Sequence, residues 1–410
     1  MNILKINNRL KFITKLFTLF LGTFLLLSCS QSESSKTYTR IDTAIQLATD
    51  YMVRATDAQG LFLYTINMNQ EVHVKPSYNM LRHAGAIYAM CTAYENNPNI
   101  ELRNAILRAG SFLQDSTIYA LPEEPNIMAV WSDSKIVGGK NPVSAKLGGT
   151  GLGLIALTRI ERIQPGFTPV PTLEGLGDFI VYSQKPDGSY YSKYIPSEGG
   201  RMDNWTSLYY PGEAALGLMM LYEIDKNDKW IKSAAKTLEY LAKSREGYTS
   251  VPADHWALMA TEKLMELPQE KLPISKDILL SHTLQICKSI FTTQILDSSR
   301  AKFYGGFNSD GRVTPTSTRL EGLIAARSFI PYDHYISDRL DKAITLGITF
   351  LLNSQIKDGF YSGGFPRAVK LKKDNNLKVK NFNKKATEIR IDYVQHALSA
   401  MIKYKNSNWN

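Results

Sequence analysis

The sequence predicts an all-α fold assembled from six helical hairpins, and three observations carry that expectation. A stretch of apolar and small residues, fit for a helix buried on most sides, occurs six times along the chain. Each is preceded by an amphipathic helix with one wet face. Several of the amphipathic helices end alike, in Gln, then Asp-Gly or a near variant, then aromatics, which is the chemistry of a turn leading into a short extended strip.

The first amphipathic helix is expected over 41–54, where Ile41, Ala44, Ile45, Leu47, Ala48 and Tyr51 form one face; ATDAQGLFLY ends it. The first buried helix spans 76–94, with Leu81, Ala84, Tyr88, Cys91 and Ala93 in its body. Its polar groups gather at the start, where Tyr78 with Arg82 and Asn79 with His83 are i,i+4 neighbours. A second pair follows over 100–114 and in AKLGGTGLGLIALTRIE from Ala145. Gly148, Gly149, Gly151 and Gly153 each cost about 1 kcal/mol relative to Ala inside a helix, a cost that close helix approach explains. KLGGTGLG lacks the Lys-Ser/Thr ending of a phosphate loop. The third pair is 172–184, ending in SQKPDGSYYSKY, with SLYYPGEAALGLMMLYEI from Ser207. The fourth is 230–244 with PADHWALMATEKLMEL from Pro252. The fifth is 281–294, ending in TTQILDSSRAKFYGGF, with STRLEGLIAARSFI from Ser317. The sixth is 340–355, ending in NSQIKDGFYSGGF, with RIDYVQHALSAMIKY from Arg390.

This alternation of helix, Q-x-x-DG-x-aromatic turn and Gly/Ala-rich buried helix resembles the (α/α)6 toroid superfamily. That group includes six-hairpin glycosidases, sugar 2-epimerases, polysaccharide lyases, uronate epimerases and terpene cyclases. The resemblance covers 41–410 and implies a single toroid domain with short β-strips or loops at its mouth. It specifies the fold far better than the activity.

The ends and the composition add a setting. Lys5, Arg9, Lys11 and Lys15 precede an apolar stretch over 16–27, which reads as an export signal over 1–28 and is too short for a confident membrane span. Leu26, Leu27, Ser28 and Cys29 resemble the lipobox of bacterial lipoproteins, which implies lipidation of Cys29, membrane attachment through that anchor, and a polar tether over 29–40. Ser30 after the cysteine implies outer-membrane sorting, facing the periplasm or the surface. The formal charge of +10 includes the four basic residues of the signal, so the mature chain carries about +6. Eight Lys and Arg residues against Asp374 alone make 367–385 a basic loop, solvated or suited to an acidic glycan. Cys91 and Cys287 read as buried free thiols. No CxxC or HExxH is present, so no metal or organic cofactor is implied, and nothing points to nucleic acid.

In a toroid the inner helices run the same way, so the resemblance implies that their leading residues converge. The converging set is Tyr78, Asn79, Arg82 and His83; Lys146; Tyr209, Tyr210 and Glu213; Asp254, His255 and Trp256; Arg319 and Glu321; Arg390, Asp392, Tyr393 and His396. Trp205 adds an aromatic from the preceding loop. By type this suits carbohydrate: aromatics stack, carboxylates and arginines hold hydroxyls or uronates, histidines move protons. Hydrolysis of a glycosidic bond needs two carboxylates, for which Glu213 is the first candidate acid beside Asp254, with His255 and His83 as further catalytic candidates. Tyr78, Asn79, Arg82, Trp205, Tyr210, Arg319, Glu321, Asp392 and His396 are the expected substrate contacts. Proton abstraction beside a carbonyl or carboxylate, as in an epimerase or lyase, finds its base and cations in the same set. A third alternative is a non-catalytic glycan-binding or assembly lipoprotein. Against each role stands a structural one: Arg82 with Glu213, or Arg319 with Asp254, as buried ion pairs between repeats.

Overall fold

Apolar or small residues on nearly every face commit the inner helices to burial, and the structure, a computed structural model describing residues 39–374 and 376–407, shows what they bury against. The chain divides into two units, 1–44 and 45–410. In the first, residues 39–44 are helical, and the Thr43 hydroxyl donates to the Thr39 carbonyl at 2.9 Å. The signal over 1–28, Cys29 and most of the tether lie outside the described residues. No helix among the described residues is long and apolar enough to cross a membrane.

The second unit begins with helix α1 (45–55), then β1 (Thr65–Asn67) and α2 (Met80–Asn96). Helix α3 (Ile100–Thr117) leads into β2 (Ile118–Leu121), β3 (Glu124–Ser132), the single turn α4 (Ser134–Val137), β4 (Ser144–Lys146) and α5 (Leu147–Ile163). Next come α6 (Val170–Ser183), β5 (Lys193–Ile195), β6 (Gly200–Met202) and α7 (Tyr210–Ile224). Helices α8 (Asp228–Arg245), α9 (His255–Met265), α10 (Lys276–Phe291) and α11 (Val313–Arg327) follow. The chain finishes with α12 (Ser337–Ser354), α13 (Leu377–Ala386), β7 (Glu388–Arg390) and α14 (Ile391–Asn406).

Helix α2 packs on α5, α5 on α7, α7 on α9, α9 on α11 and α11 on α14, and α14 returns to α2. Six hairpins close into one ring. The chain has the expected all-α (α/α)6 toroid fold, with α3, α6, α8, α10 and α12 packed outside the inner six. Small residues set how closely inner neighbours approach: a Cβ on Gly151 would meet the Glu213 backbone at 2.8 Å, and one on Gly217 would meet the Gly151 carbonyl at 2.9 Å. Several helix starts differ from the sequence expectation, among them α2 at Met80 rather than 76 and α10 at Lys276 rather than 281, and for two of them a proline gives the reason. Helix α7 begins at Tyr210 rather than Ser207, because Pro211 fits a first helical turn where its missing N–H costs nothing. Helix α11 begins at Val313, four residues before Ser317, with Pro315 in the same role.

The turns after the outer helices share one device. Gly60, Gly188, Gly305 and Gly363 all have φ between 85° and 93°, a region that favours glycine. Each also lies against a carbonyl of the next outer helix: an added Cβ would meet Arg108 O at 2.1 Å, Lys236 O at 2.5 Å, Leu346 O at 2.2 Å and Leu47 O at 1.9 Å respectively. Four of the six hairpins are thus pinned to their successors, the last to the first.

Two further elements shape the rim. Strands β2 to β6 form one antiparallel sheet in sequence order, and β1 pairs with β7 through Thr65–Arg390, Ile66–Ile389 and Asn67–Glu388. The basic segment is not simply a loop, since α13 occupies its second half, capped by Asn376, whose side chain accepts from the Val379 N–H at 2.9 Å.

Candidate functional site

Hydrogen bonds and packing between the inner helices bring polar residues together around the ring. Arg82 of α2 reaches Asp392 of α14 at 3.1 Å. A Cβ on Gly148 of α5 would fall 2.0 Å from Glu213 Oε2 of α7, and one on Gly212 of α7 2.9 Å from Asp254, which caps α9. His255 of α9, Glu321 of α11 and His396 of α14 complete the circle: Glu321 Oε2 lies 2.7 Å from His396 Nδ1 and 3.9 Å from His255 Nε2.

That last trio is the chemical centre. Glu321 is fully buried and its second oxygen, Oε1, has no hydrogen-bond partner; neither nitrogen of His255 has one. The two imidazoles stand nearly perpendicular, centroids 5.4 Å apart, with the Trp256 ring 4.8 Å from His255 and 6.2 Å from His396. Their environments push them apart. Burial, then the neighbouring His396 and Arg319, drive His255 well below the ordinary imidazole range. Burial also disfavours charge on His396, but the Glu321 carboxylate outweighs it and raises His396 above that range. Tyr209, 41% exposed, lies edge-on to His255 at 5.8 Å and covers it. The donor atoms of the trio lie within 4.8 Å of one another, and two imidazoles with a carboxylate are also a set that a divalent metal accepts.

Glu213 is a second chemically poised group. Burial, reinforced by Asp254, pushes its carboxyl up to about 8, and its Oε2 has no hydrogen-bond partner. Tyr210, whose hydroxyl burial raises above its usual range, and Trp205, ring centroids 5.5 Å apart, lie beside it.

Other residues expected at the site have structural duties. The His83 ring is fully buried with both nitrogens occupied, Nδ1 by the Tyr78 hydroxyl at 2.7 Å and Nε2 by the Ala109 carbonyl at 3.0 Å. The Tyr78 hydroxyl also accepts from the Phe62 N–H, so both residues form a latch, set back from the trio's hydrogen bonds. Asn79 caps α2 by accepting from Arg82 N–H. Asp254, also expected to be catalytic, is wholly buried, accepts from Ala257 N–H at 3.1 Å and pairs with Arg245 at 2.8 Å. Its ion-pair partner is Arg245 rather than Arg319. Arg82 likewise pairs with Asp392 rather than Glu213, and Asp392 is shared with Arg390 at 2.6 Å. Burial disfavours the Asp392 charge, yet Arg390 and Arg82 hold its carboxyl below the usual range. Among the described residues Arg319 makes no ion pair; its Nη1 donates to the Pro315 carbonyl and its buried Nε has no partner there. Residues that the sequence did not single out are Arg245, Tyr64, whose hydroxyl accepts from Arg82 at 2.7 Å, and Lys193. Only the alternation in YYSKYI, which reads as a strand, hints at the last.

No protein-family model matches the sequence, and no curated protein matches it. Solved structures do match by shape. A sugar epimerase from a ruminal bacterium aligns with TM-score 0.65 over 91% of this chain and 100% of its own, at 14% identity. The fold is the (α/α)6 toroid. A D-mannose isomerase aligns with TM-score 0.63 over 89% of this chain and 97% of its own, at 12% identity. An α-1,6-mannanase from a Salegentibacter species aligns with TM-score 0.58 over 89% and 98%, at 9% identity. At these identities the likeness is one of fold.

Proposed function

We propose that this toroid is a carbohydrate-active enzyme whose reaction is proton transfer at a sugar carbon beside a carbonyl, an epimerisation or an aldose–ketose isomerisation. The observation that carries the reading is a pair of imidazoles around Glu321 whose proton affinities are driven in opposite directions, the arrangement needed for a base and an acid at one pH. His255, neutral, removes the proton from the carbon next to the open-chain carbonyl, leaving an enediolate. His396, protonated and oriented by Glu321, returns a proton to carbon. Arg319, with an unpartnered N–H beside them, steadies the negative oxygen. The sugar epimerase and isomerase among the matching folds support the same class.

A second reading keeps one specific observation. Glu213 holds its proton at neutral pH, as the acid of a glycoside hydrolase does. Asp254, the carboxylate beside it, is committed to Arg245. The proposal extends to the setting: residues 26–29 support an exported, lipid-anchored protein.

The test is incubation of the protein with mono- and oligosaccharides in deuterated water, read by mass spectrometry and NMR. Deuterium on carbon with chain length unchanged is expected. His255→Asn and His396→Asn should each slow the exchange by about 10²–10⁴-fold while circular dichroism is unchanged. Shorter chains without deuterium on carbon, lost in Glu213→Gln, would move the assignment to hydrolysis.

A further inference from the structure

The charges at the two ends of the ring are arranged differently. At the C-terminal ends of the inner helices a cavity of about 540 Å³ is lined by Glu95, Arg159, Glu262, Lys263 and Lys403. There every charge has its opposite: Arg159 with Glu95 at 2.9 Å, Lys263 with Glu223 at 3.1 Å, Lys403 with Glu262 at 3.3 Å. At the mouth, by contrast, several cations share a carboxylate or have none among the described residues. Asp392 alone serves both Arg82 and Arg390.

The imbalance is sharpest on the rim sheet. Lys146 of β4 and Lys193 of β5 are direct cross-strand partners, a placement of like charges that destabilises a sheet. Among the described residues neither lysine has a carboxylate partner. The Lys193 ammonium rests instead over the Trp205 ring, 4.6 Å from its centroid. Lys146 is half-buried, and burial together with Lys193 and Arg82 pulls its ammonium below its usual range. Arg82 spends one N–H on Asp392 and one on Tyr64, and its side chain remains 36% exposed. Lys146 and Lys193, facing each other with Arg82 nearby and with no carboxylate of their own among the described residues, repel one another, and a bound anion would remove that cost.

We propose that Lys146, Lys193 and Arg82 form an anion subsite that selects a sugar carrying a carboxylate or a sulfate group. This deepens the proton-transfer reading and rests on it for the reacting end of the sugar. The acidic group is held at the rim sheet by charge-assisted hydrogen bonds. Trp205 and Tyr210 flank it with stacking surface, and the carbonyl end reaches towards His255 and His396.

Calorimetric titration of the native protein with a neutral hexose, a hexuronate and a sulfated hexose tests the subsite. Tighter binding of either acidic sugar, by about tenfold or more, is expected, and the preferred one tells carboxylate from sulfate. Lys146→Met and Lys193→Met should each weaken the acidic sugar by about tenfold, leave the neutral one unchanged, and raise the thermal midpoint of the ligand-free protein by relieving the cross-strand repulsion. Equal affinity for neutral and acidic sugars, or variants that bind the acid as tightly as the parent, would overturn the subsite. The two readings fail separately. Acidic sugar that binds tightly but gains no deuterium sinks proton transfer and leaves the subsite; deuterium entering neutral and acidic sugars alike, with equal affinity, does the reverse.

Discussion

Glu213 sits where a carboxyl loses both water and a cationic neighbour, and its consequences are measurable without a substrate. Its pKa is raised from 4.5 to about 8, so it favours the folded state fully only below pH 4.5, and that contribution is lost as pH rises through 8. His83 acts with the opposite sign: its pKa is lowered from 6.5 to about 4, so its contribution is present above 6.5 and lost as pH falls through 4. Glu213→Gln should therefore melt above the parent at pH 9 and close to it at pH 5, a difference read directly by calorimetry. Asp254→Ala separates two roles. If the Arg245 pair is what Asp254 is for, the variant loses about 3–5 kcal/mol of stability, because a buried guanidinium is left unanswered. A variant that denatures like the parent but turns over poorly would return Asp254 to the reaction. Glu213, His255, Glu321 and His396 were legible as polar residues near the starts of apolar helices. The partner of Asp254 was not, since Arg245 belongs to the end of an outer helix and no periodicity links it to the mouth.

At the scale of elements, hydrophobic pattern and turn chemistry located all six hairpins, because burial on every face and Asp-Gly turns leave a mark in local sequence. The rim sheet left less. Its strands are mostly three or four residues long, and the pairing of β4 with β5 spans a whole hairpin, so its register comes from tertiary packing. Helix α13 was hidden by its lysines, which read as a solvated loop; its Phe382 ring lies under the Lys372 ammonium of the preceding segment, 4.3 Å from the centroid. The pinned glycines give this scale its test. Gly363→Ala must strain the backbone and displace the Leu47 carbonyl, and should cost ~3 kcal/mol or more. Gly359 has a similar φ of 78° with open space around it, so Gly359→Ala should cost only ~1 kcal/mol. Equal losses in urea denaturation would mean that the contact with α1 does not hold the hairpins together.

For the molecule as a whole, the ring closes through its last segment. Strand β7 pairs with β1, the Ile391 N–H donates to the Tyr64 carbonyl at 3.1 Å, and α14 fills the place between α11 and α2. A chain ending after Ala386 leaves two inner helices with an uncovered face, and should show no cooperative thermal transition and rapid cleavage by protease. A sharp transition retained in that truncation would show that the hairpins stand as independent repeats. The glycine clasps grip only the outer helices, while Lys193 and Trp205 of the proposed anion subsite hang on the segment between the Gly188 clasp and the next inner helix. The scaffold and its specificity can therefore change on separate evolutionary clocks: a lineage can lengthen, trade or graft rim segments, altering which sugar is admitted, while the circle beneath keeps its fit.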